Sequence, residues 1–381
     1  MKYGLLLIGM LLMSFLSGQS DMDALDQALK EQDYLKSLQL AEACYEQDTS
    51  NLKCLKISST SAFRLGSQAK AKKYLHLMEK MDSMDTDVLV QLATIYDQQQ
   101  QLPKAIKYYT LLNKVLPNNP IYFRKNAVLY TKYKDYAKAF ELYAEANKLN
   151  PEDVVTLKGM AELCFANDQM ALGDSLLDAG LKVDSLNIGL NYVLVKSKYR
   201  QKRYDTVTVI LEKLSGRIDL DSYYNKLLGY SYLQIDSVDL AIKRLSLAIV
   251  DDEENERLHY YLANAFEKKN NLKAAIEEFE KAAFYGVSPQ IDLYHRNIAR
   301  LANREKQYKK AIDHYKDAYK YGDDPVLLYY LAAACDNYYK DKSIALNYYK
   351  KYLRTEHDHI QYMEYAEKRV RYLKEVIHQQ K

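Results

Sequence analysis

The sequence predicts an all-α solenoid of about ten helical hairpins. Small residues recur every 34 positions in one phase, larger apolar residues follow them at helical spacing, and the prolines fall where helices begin or end. No stretch alternates polar and apolar with period two, so no sheet is expected. The length of 381 residues would by itself suggest two or three compact domains. An array grows by contacts between neighbours rather than around one core, so the repeat overrides that prior.

Ser37, Ala71, Ala105, Ala139, Gly173, Val207, Ala241 and Ala275 are each 34 apart, and after a two-residue insertion the series resumes at Ala311 and Ala345. Four residues beyond come Ala41, Leu75, Tyr109, Tyr143, Leu177, Leu211, Leu245, Phe279, Tyr315 and Tyr349. Ala146, Gly180, Ala248, Ala282 and Ala318 lie three further on, which completes one face of a helix. Twelve residues before the markers lie Ser59, Ala93, Ala127, Ala161, Gly229, Ala263 and Ala299, mostly followed three on by an aromatic or Cys164. Each repeat is therefore two antiparallel amphipathic helices that meet where small side chains permit close approach. Pro103, Pro117, Pro120, Pro151, Pro289 and Pro325 fall between helices or in a first turn, where a missing N–H costs little. Asp135-Tyr136 and Asn271-Leu272 mark turns between paired helices, with a polar residue to cap the second.

The segments LATIYDQQQQLPKAIKYYTLLNKVLPNNP (Leu92 to Pro120) and LANAFEKKNNLKAAIEEFEKAA (Leu262 to Ala283) resemble the tetratricopeptide-repeat family in their small and aromatic positions. Pro117 and Pro151 stand at that family's proline position, and the resemblance covers roughly residues 20 to 355. It implies a right-handed superhelical solenoid whose concave surface is formed by the first helix of each pair and binds a protein or peptide. The repeats near 18–51, 188–221 and 326–359 depart most; Val195 and Lys198 stand where a small residue and an aromatic are expected. Residues 358–381 read as a polar-faced helix capping the last repeat.

Residues 1–20 are a different object. Lys2 precedes the apolar run Leu5 to Leu16, and Ser17-Gly18-Gln19-Ser20 supplies small and polar residues suited to cleavage. The run is shorter than the roughly 20 residues a bilayer requires, so it reads as a secretory signal peptide rather than an uncleaved anchor. No Cys follows it, against a lipoprotein signal, and nothing later resembles a membrane span. The expected organisation is thus a signal peptide over 1–20, a solenoid over 21–357 and a cap over 358–381, with the mature chain exported to the periplasm or cell surface. Four cysteines are too few for a disulfide framework; Cys164 and Cys335 fall on apolar helix faces, and Cys44 and Cys54 flank a turn where a bridge is an open alternative.

Signals of chemistry are weak. Gly173-Asp174-Ser175-Leu176 spells the GDSL hydrolase signature, yet Gly173 and Leu177 hold the small and large positions of a repeat helix, and that family needs an α/β fold. Glu356-His357-Asp358-His359 packs potential ligands into one loop, where adjacent ligands rarely close a metal shell, and the other histidines are scattered. Asp251 to Glu256 is an acidic run read as a solvated turn ahead of a helix N-terminus. Asp82-Ser83-Met84, Asp184-Ser185-Leu186, Asp205-Thr206-Val207 and Asp236-Ser237-Val238 resemble an O-glycosylation sequon, although Asp and Ser also favour turns for local reasons. No enzyme activity, cofactor or metal is expected.

Net charge decides little: 54 Lys plus Arg stand against 51 Asp plus Glu, a balance unlike that of a nucleic-acid binder. Its distribution is more telling. Positions that line the groove in the resembling family collect Lys53, Lys56, Arg64, Arg124, Lys132, Lys158, Lys196, Arg200, Lys226, Arg257, Lys268, Arg296, Arg300 and Arg304, against only Asp87, Asp97, Glu162 and Glu267. Tyr192, Tyr199, Tyr223, Tyr230, Tyr260 and Tyr330 share those phases and offer aromatic anchors. Asn264 is in phase for the family's carboxylate clamp, but Tyr260 stands where the clamp needs Lys. The expectation is a non-catalytic scaffold that grips an acidic or carboxylate-bearing protein segment along a basic, Tyr-rich groove. The alternatives are a structural subunit of an envelope complex without such a groove function, and a signalling regulator. No nucleic-acid partner and no membrane span in the mature chain are expected, and the oligomeric state is open.

Overall fold

The structure is a computed structural model that describes residues 22–287, 289–355 and 360–379. The export segment expected over 1–20 and the Glu356–His359 loop lie outside the described residues. All regular structure among the described residues is helical. The hairpins, in order, are α1 (22–30) with α2 (Tyr34–Gln47), α3 (Leu52–Arg64) with α4 (Gln68–Met81), α5 (Thr86–Gln98) with α6 (Leu102–Val115), α7 (Pro120–Lys132) with α8 (Tyr136–Leu149), and α9 (Val154–Ala166) with α10 (Met170–Val183). There follow α11 (Ile188–Arg200) with α12 (Tyr204–Ser215), α13 (Ser222–Gln234) with α14 (Val238–Asp251), α15 (Glu256–Lys268) with α16 (Leu272–Tyr285), α17 (Ile291–Arg304) with α18 (Tyr308–Gly322), and α19 (Val326–Tyr338) with α20 (Lys342–Arg354). A single helix, α21 (Ile360–Gln379), packs on α20. This is the expected hairpin array. The chain divides after Val193, inside α11, into two compact units.

The phase of small residues is the packing phase. In the first unit Ala71, Ala105 and Ala139 are fully buried, as are Ala241, Ala275 and Ala311 in the second. Their partners four residues on, Leu75 and Tyr109, Leu245 and Phe279, are buried with them. At Gly229 of α13 an added Cβ would lie 2.7 Å from Leu245 Cγ and 3.1 Å from the Leu245 backbone nitrogen of α14, so only glycine fits. The departure at Val195 is absorbed: Val195 and Val207, larger than the alanines of other repeats, are both fully buried. Gly173-Asp174-Ser175-Leu176 lies inside α10, where a Cβ on Gly173 would meet the Phe165 ring at 2.4 Å. That packing explains the tetrapeptide without a nucleophile.

Each turn inside a hairpin is the same object. A residue with positive φ closes the first helix at Gln32, Gly66, Gln100, Lys134, Asp168, Lys202, Asp236, Asn270 and Lys306. Its N–H and that of the next residue reach back to the last turn, as Lys134 donates to the Thr131 carbonyl and Asp135 to that of Tyr130, both at 3.0 Å. This is the Schellman closure, which satisfies carbonyls that the helix end leaves orphaned. The tenth hairpin lacks it, since Tyr339 is extended. Asp135 and Asn271 cap α8 and α16, as expected. First helices are capped too, by Asn51, Asp85, Asn119, Asp153, Asp221 and Asn255. Pro103 and Pro120 sit in first turns and Pro325 caps α19.

The cysteine alternative resolves as a bridge. Cys44 at the end of α2 and Cys54 in the first turn of α3 form a disulfide, with Cα atoms 6.1 Å apart, while Cys164 and Cys335 are free and buried. The acidic run 251–256 spans the turn into α15, where Asn255 caps and Glu256 adds charge in the first turn. Of the four sequon-like triplets, the ones beginning at Asp82, Asp184 and Asp236 lie in turns, and that at Asp205 lies in the first turn of α12. No helix among the described residues is long and apolar enough to cross a membrane.

Candidate partner-binding surface

In the second unit the first helices carry a continuous aromatic seam. Tyr199 of α11 meets Tyr204 of α12 and Tyr230 of α13, with ring centroids at 5.6 and 5.8 Å. Tyr230 passes contact to Tyr261 of α15 at 4.6 Å, Tyr261 to Tyr260 at 5.9 Å, and Tyr260 to Tyr294 of α17 at 5.5 Å. These distances suit offset and edge-on ring packing, which adds to the area buried. Burial, reinforced by neighbouring phenols, pushes the hydroxyls of Tyr199 and Tyr230 up, so both stay neutral donors. The same packing that holds the repeats together thus presents hydroxyls in a row.

Tyr223 stands apart from the seam. It is 44% exposed, and the ammonium groups of Lys196 and Lys226 lie over its ring at 5.7 and 5.6 Å. Each contact is a cation–π pair. Among the described residues, Lys196, Lys226 and Arg257 have no carboxylate within ion-pair distance, so the two ammonium groups beside the exposed Tyr223 phenol carry charge that no acid answers.

The remaining cations correct the expected count. Arg300 is held by Glu267 through two hydrogen bonds of 2.7 Å, and Arg304 approaches the same carboxylate at 3.6 Å. The hydrogen bond from Arg300 to Glu267 raises the guanidinium pKa further. Arg296 pairs with Asp324 at 3.1 Å and Asp292 at 3.7 Å, and Lys268 with Asp236. In the first unit Lys53 pairs with Asp26, Lys56 with Asp87, Lys132 with Asp97, and Arg124 with Asp153 at 2.6 Å. Among the described residues Lys158 has no carboxylate within ion-pair distance, and Tyr192 is half-buried on α11. The groove phases are therefore not uniformly basic. Their cations are largely answered by acids, most of them about one repeat away: Asp87, Asp97 and Glu267 belong to the groove phases, while Asp26, Asp153, Asp236, Asp292 and Asp324 lie outside that count. Asn264 donates its amide to the Tyr260 carbonyl of its own helix at 2.6 Å.

Two further constellations lie in the second unit. A cleft of about 340 Å³ is lined by Arg296, Arg300, Tyr315, Asp324, Tyr330 and Tyr362. Tyr330 and Tyr362 share a hydrogen bond of 2.8 Å across it, and burial pushes the Tyr315 hydroxyl up to about 12. Separately, His295, His314 and Asp317 bring one ligand atom each to within 4.8 Å of one another. The histidines looked scattered in sequence because these two lie 19 residues apart on paired helices. The spacing between facing positions of a hairpin was the signal that would have joined them.

Residues 226–290 match the family model described as tetratricopeptide repeat. No curated protein matches the chain in sequence. Among solved structures the chain is similar to a tetratricopeptide repeat protein from Parabacteroides merdae, at 15% identity, TM-score 0.40, covering 75% of this chain and 98% of that one. It is similar also to pilF of Pseudomonas aeruginosa, at 16% identity, TM-score 0.42, covering 55% and 94%. MamA (AMB-1) aligns at 19% identity, TM-score 0.41, covering 44% and 98%. Scores and identities at this level add nothing on activity, and the family match rests on the sequence. Residues 226–290 thus match the tetratricopeptide repeat, a repeat that serves as a protein-interaction scaffold, and the same helical hairpin recurs on either side of them.

Proposed function

We propose that the chain is an exported, non-catalytic scaffold that grips an acidic or carboxylate-bearing segment of a partner protein on the first-helix face of its second unit. The observation that carries this reading is the Lys196–Tyr223–Lys226 cluster. Holding two ammonium groups near one exposed ring, with no carboxylate to neutralise them, costs repulsion that an incoming anion relieves. Tyr223 adds a rigid anchor that loses little conformational freedom on binding, and Arg257 widens the positive patch. The aromatic seam behind it holds these helices in place before the partner arrives. Export is supported by the apolar run at Leu5 to Leu16 and by the Cys44–Cys54 bridge, a bond that persists in oxidising compartments.

Lys196→Glu, Lys226→Glu and Arg257→Glu, combined, test the surface. The control reverses Lys213, Lys243 and Lys273, which are exposed on second helices. Partners crosslinked and captured by the native chain in its own cell should be lost by the first variant and kept by the control. Their capture should also weaken as salt rises. Equal loss in both variants, or in neither, overturns the assignment and favours a structural subunit that packs by other faces.

A further inference from the structure

We propose that His295, His314 and Asp317 form a binding site for one divalent transition-metal ion of the zinc class, held inside the hairpin of α17 and α18. The three groups come from facing positions: His295 on the first helix, His314 and Asp317 one turn apart on the second. The two Nδ1 atoms are 2.8 Å apart, and all three ligand atoms fall within 4.8 Å of one another. Zinc holds imidazole nitrogen at about 2.0–2.1 Å, which sets tetrahedral ligand atoms about 3.3 Å apart. The observed separations bracket that value, so small side-chain rotations suffice. Two imidazoles and one carboxylate are a common zinc donor set, and the fourth position stays open to water.

The preceding hairpin supplies an internal control. Its equivalent positions, 36 residues earlier, are His259, Glu278 and Lys281. There His259 Nδ1 meets Glu278 at 2.6 Å and Lys281 reaches the same carboxylate at 2.8 Å, closing the set as cation against anion. His259 stacks on Tyr285 at 5.5 Å, and His295 repeats this on Tyr321 at 5.7 Å. The scaffold is thus duplicated, while its polar pair is replaced: carboxylate becomes imidazole and ammonium becomes carboxylate. Two imidazoles facing through the same nitrogen can share at most one proton, whereas a metal ion uses both lone pairs and the Asp317 charge. The remaining nitrogen of His314, Nε2, lies 3.8 Å from Glu280, which Lys310 holds at 2.7 Å. A carboxylate behind a ligating histidine is the usual outer partner that fixes ring orientation and raises ligand basicity. All three ligands are half-buried, so an ion can reach them from solvent.

The test is calorimetric titration of the full chain, freed of metal by chelation, with Zn2+, and with Co2+ followed by visible absorption. The native chain should take up one equivalent with a tetrahedral Co2+ spectrum. His314→Glu with Asp317→Lys rebuilds the His–Glu–Lys set of the preceding hairpin, so it should fold and bind at least about 100-fold more weakly. His357→Ala with His359→Ala removes the other histidine cluster and should bind as the native chain does. The proposal is overturned if the native chain binds no metal, if the rebuilt variant binds equally, or if loss follows His357 and His359 instead. Circular dichroism melts of each variant separate lost binding from lost folding.

Discussion

Glu278 shows how a single charge is set by its surroundings. Burial alone pushes its carboxyl up, but hydrogen bonds from His259 and Lys281, with the Lys281 charge, outweigh burial and leave it below the usual carboxylate range. The folded-state value is therefore depressed relative to the unfolded chain. Its contribution is fully present above the unfolded value of about 4.3 and is lost as pH falls through the folded one. Glu278→Gln should cost about 1–3 kcal/mol at pH 7, since it leaves His259 and Lys281 with a poorer acceptor. Urea melts repeated at a pH below about 4.3 should find that difference reduced. An equal difference at both pH values would mean that shape rather than charge is lost. The same neighbourhood in the next hairpin changed its chemistry by two substitutions, because the stacked ring and the helix spacing carry the geometry whatever the polar atoms are.

The hairpin was legible wherever a rule of packing or capping restricts residue type. Small residues must stand where helices touch, so Ala139 and Ala275 announced the contact, and Asp135 and Asn271 announced the cap. The left-handed residue between paired helices was not legible, although it recurs as regularly. Only Gly66 among those positions is glycine, and the others are Gln, Lys, Asp or Asn. A strain on the order of 1 kcal/mol per residue is tolerable when the Schellman bonds hold the backbone there, so composition gives no sign of it. The bridge between α2 and α3 is also a property of elements, because it ties the second helix of one hairpin to the first of the next. A separation of ten residues closes a loop worth about 3 kcal/mol in the chain-entropy picture. Cys44→Ser with Cys54→Ser should therefore loosen the first hairpins. Hydrogen exchange should rise in α1 to α3 and stay unchanged in α5 and beyond, as expected of an array with nearest-neighbour coupling. Uniform loosening throughout would show that the end of the array is not a separate cooperative step.

Across the molecule, repeats are joined by polar contacts at an offset of about one repeat as well as by apolar ones. Lys70 and Tyr74 both reach Glu42, Tyr108 reaches Glu79, Arg244 grips Glu212, and Arg300 grips Glu267. This is why the candidate surface was half legible. Periodicity placed Tyr199, Tyr230 and Tyr260 on the first helices, and the aromatic seam they form with Tyr261 lies there. It did not reveal that Arg124, Arg296, Arg300 and Arg304 are answered by acids from neighbouring turns and helices, because such pairing depends on three-dimensional reach. The recurring turn has a consequence of another kind. Gln100 and Lys134 hold nearly the same backbone conformation, with φ of 56° and 65°, and each precedes a second helix. Excising 101–134 in frame would splice one such joint onto its replica, so α5 would meet α8 as it now meets α6. The shortened chain should keep its helicity per residue and melt as a folded protein, whereas excising only 118–134 would leave α6 joined directly to α8 and should not. Length, in a molecule cut at identical joints, is then an editable quantity rather than a property of the fold.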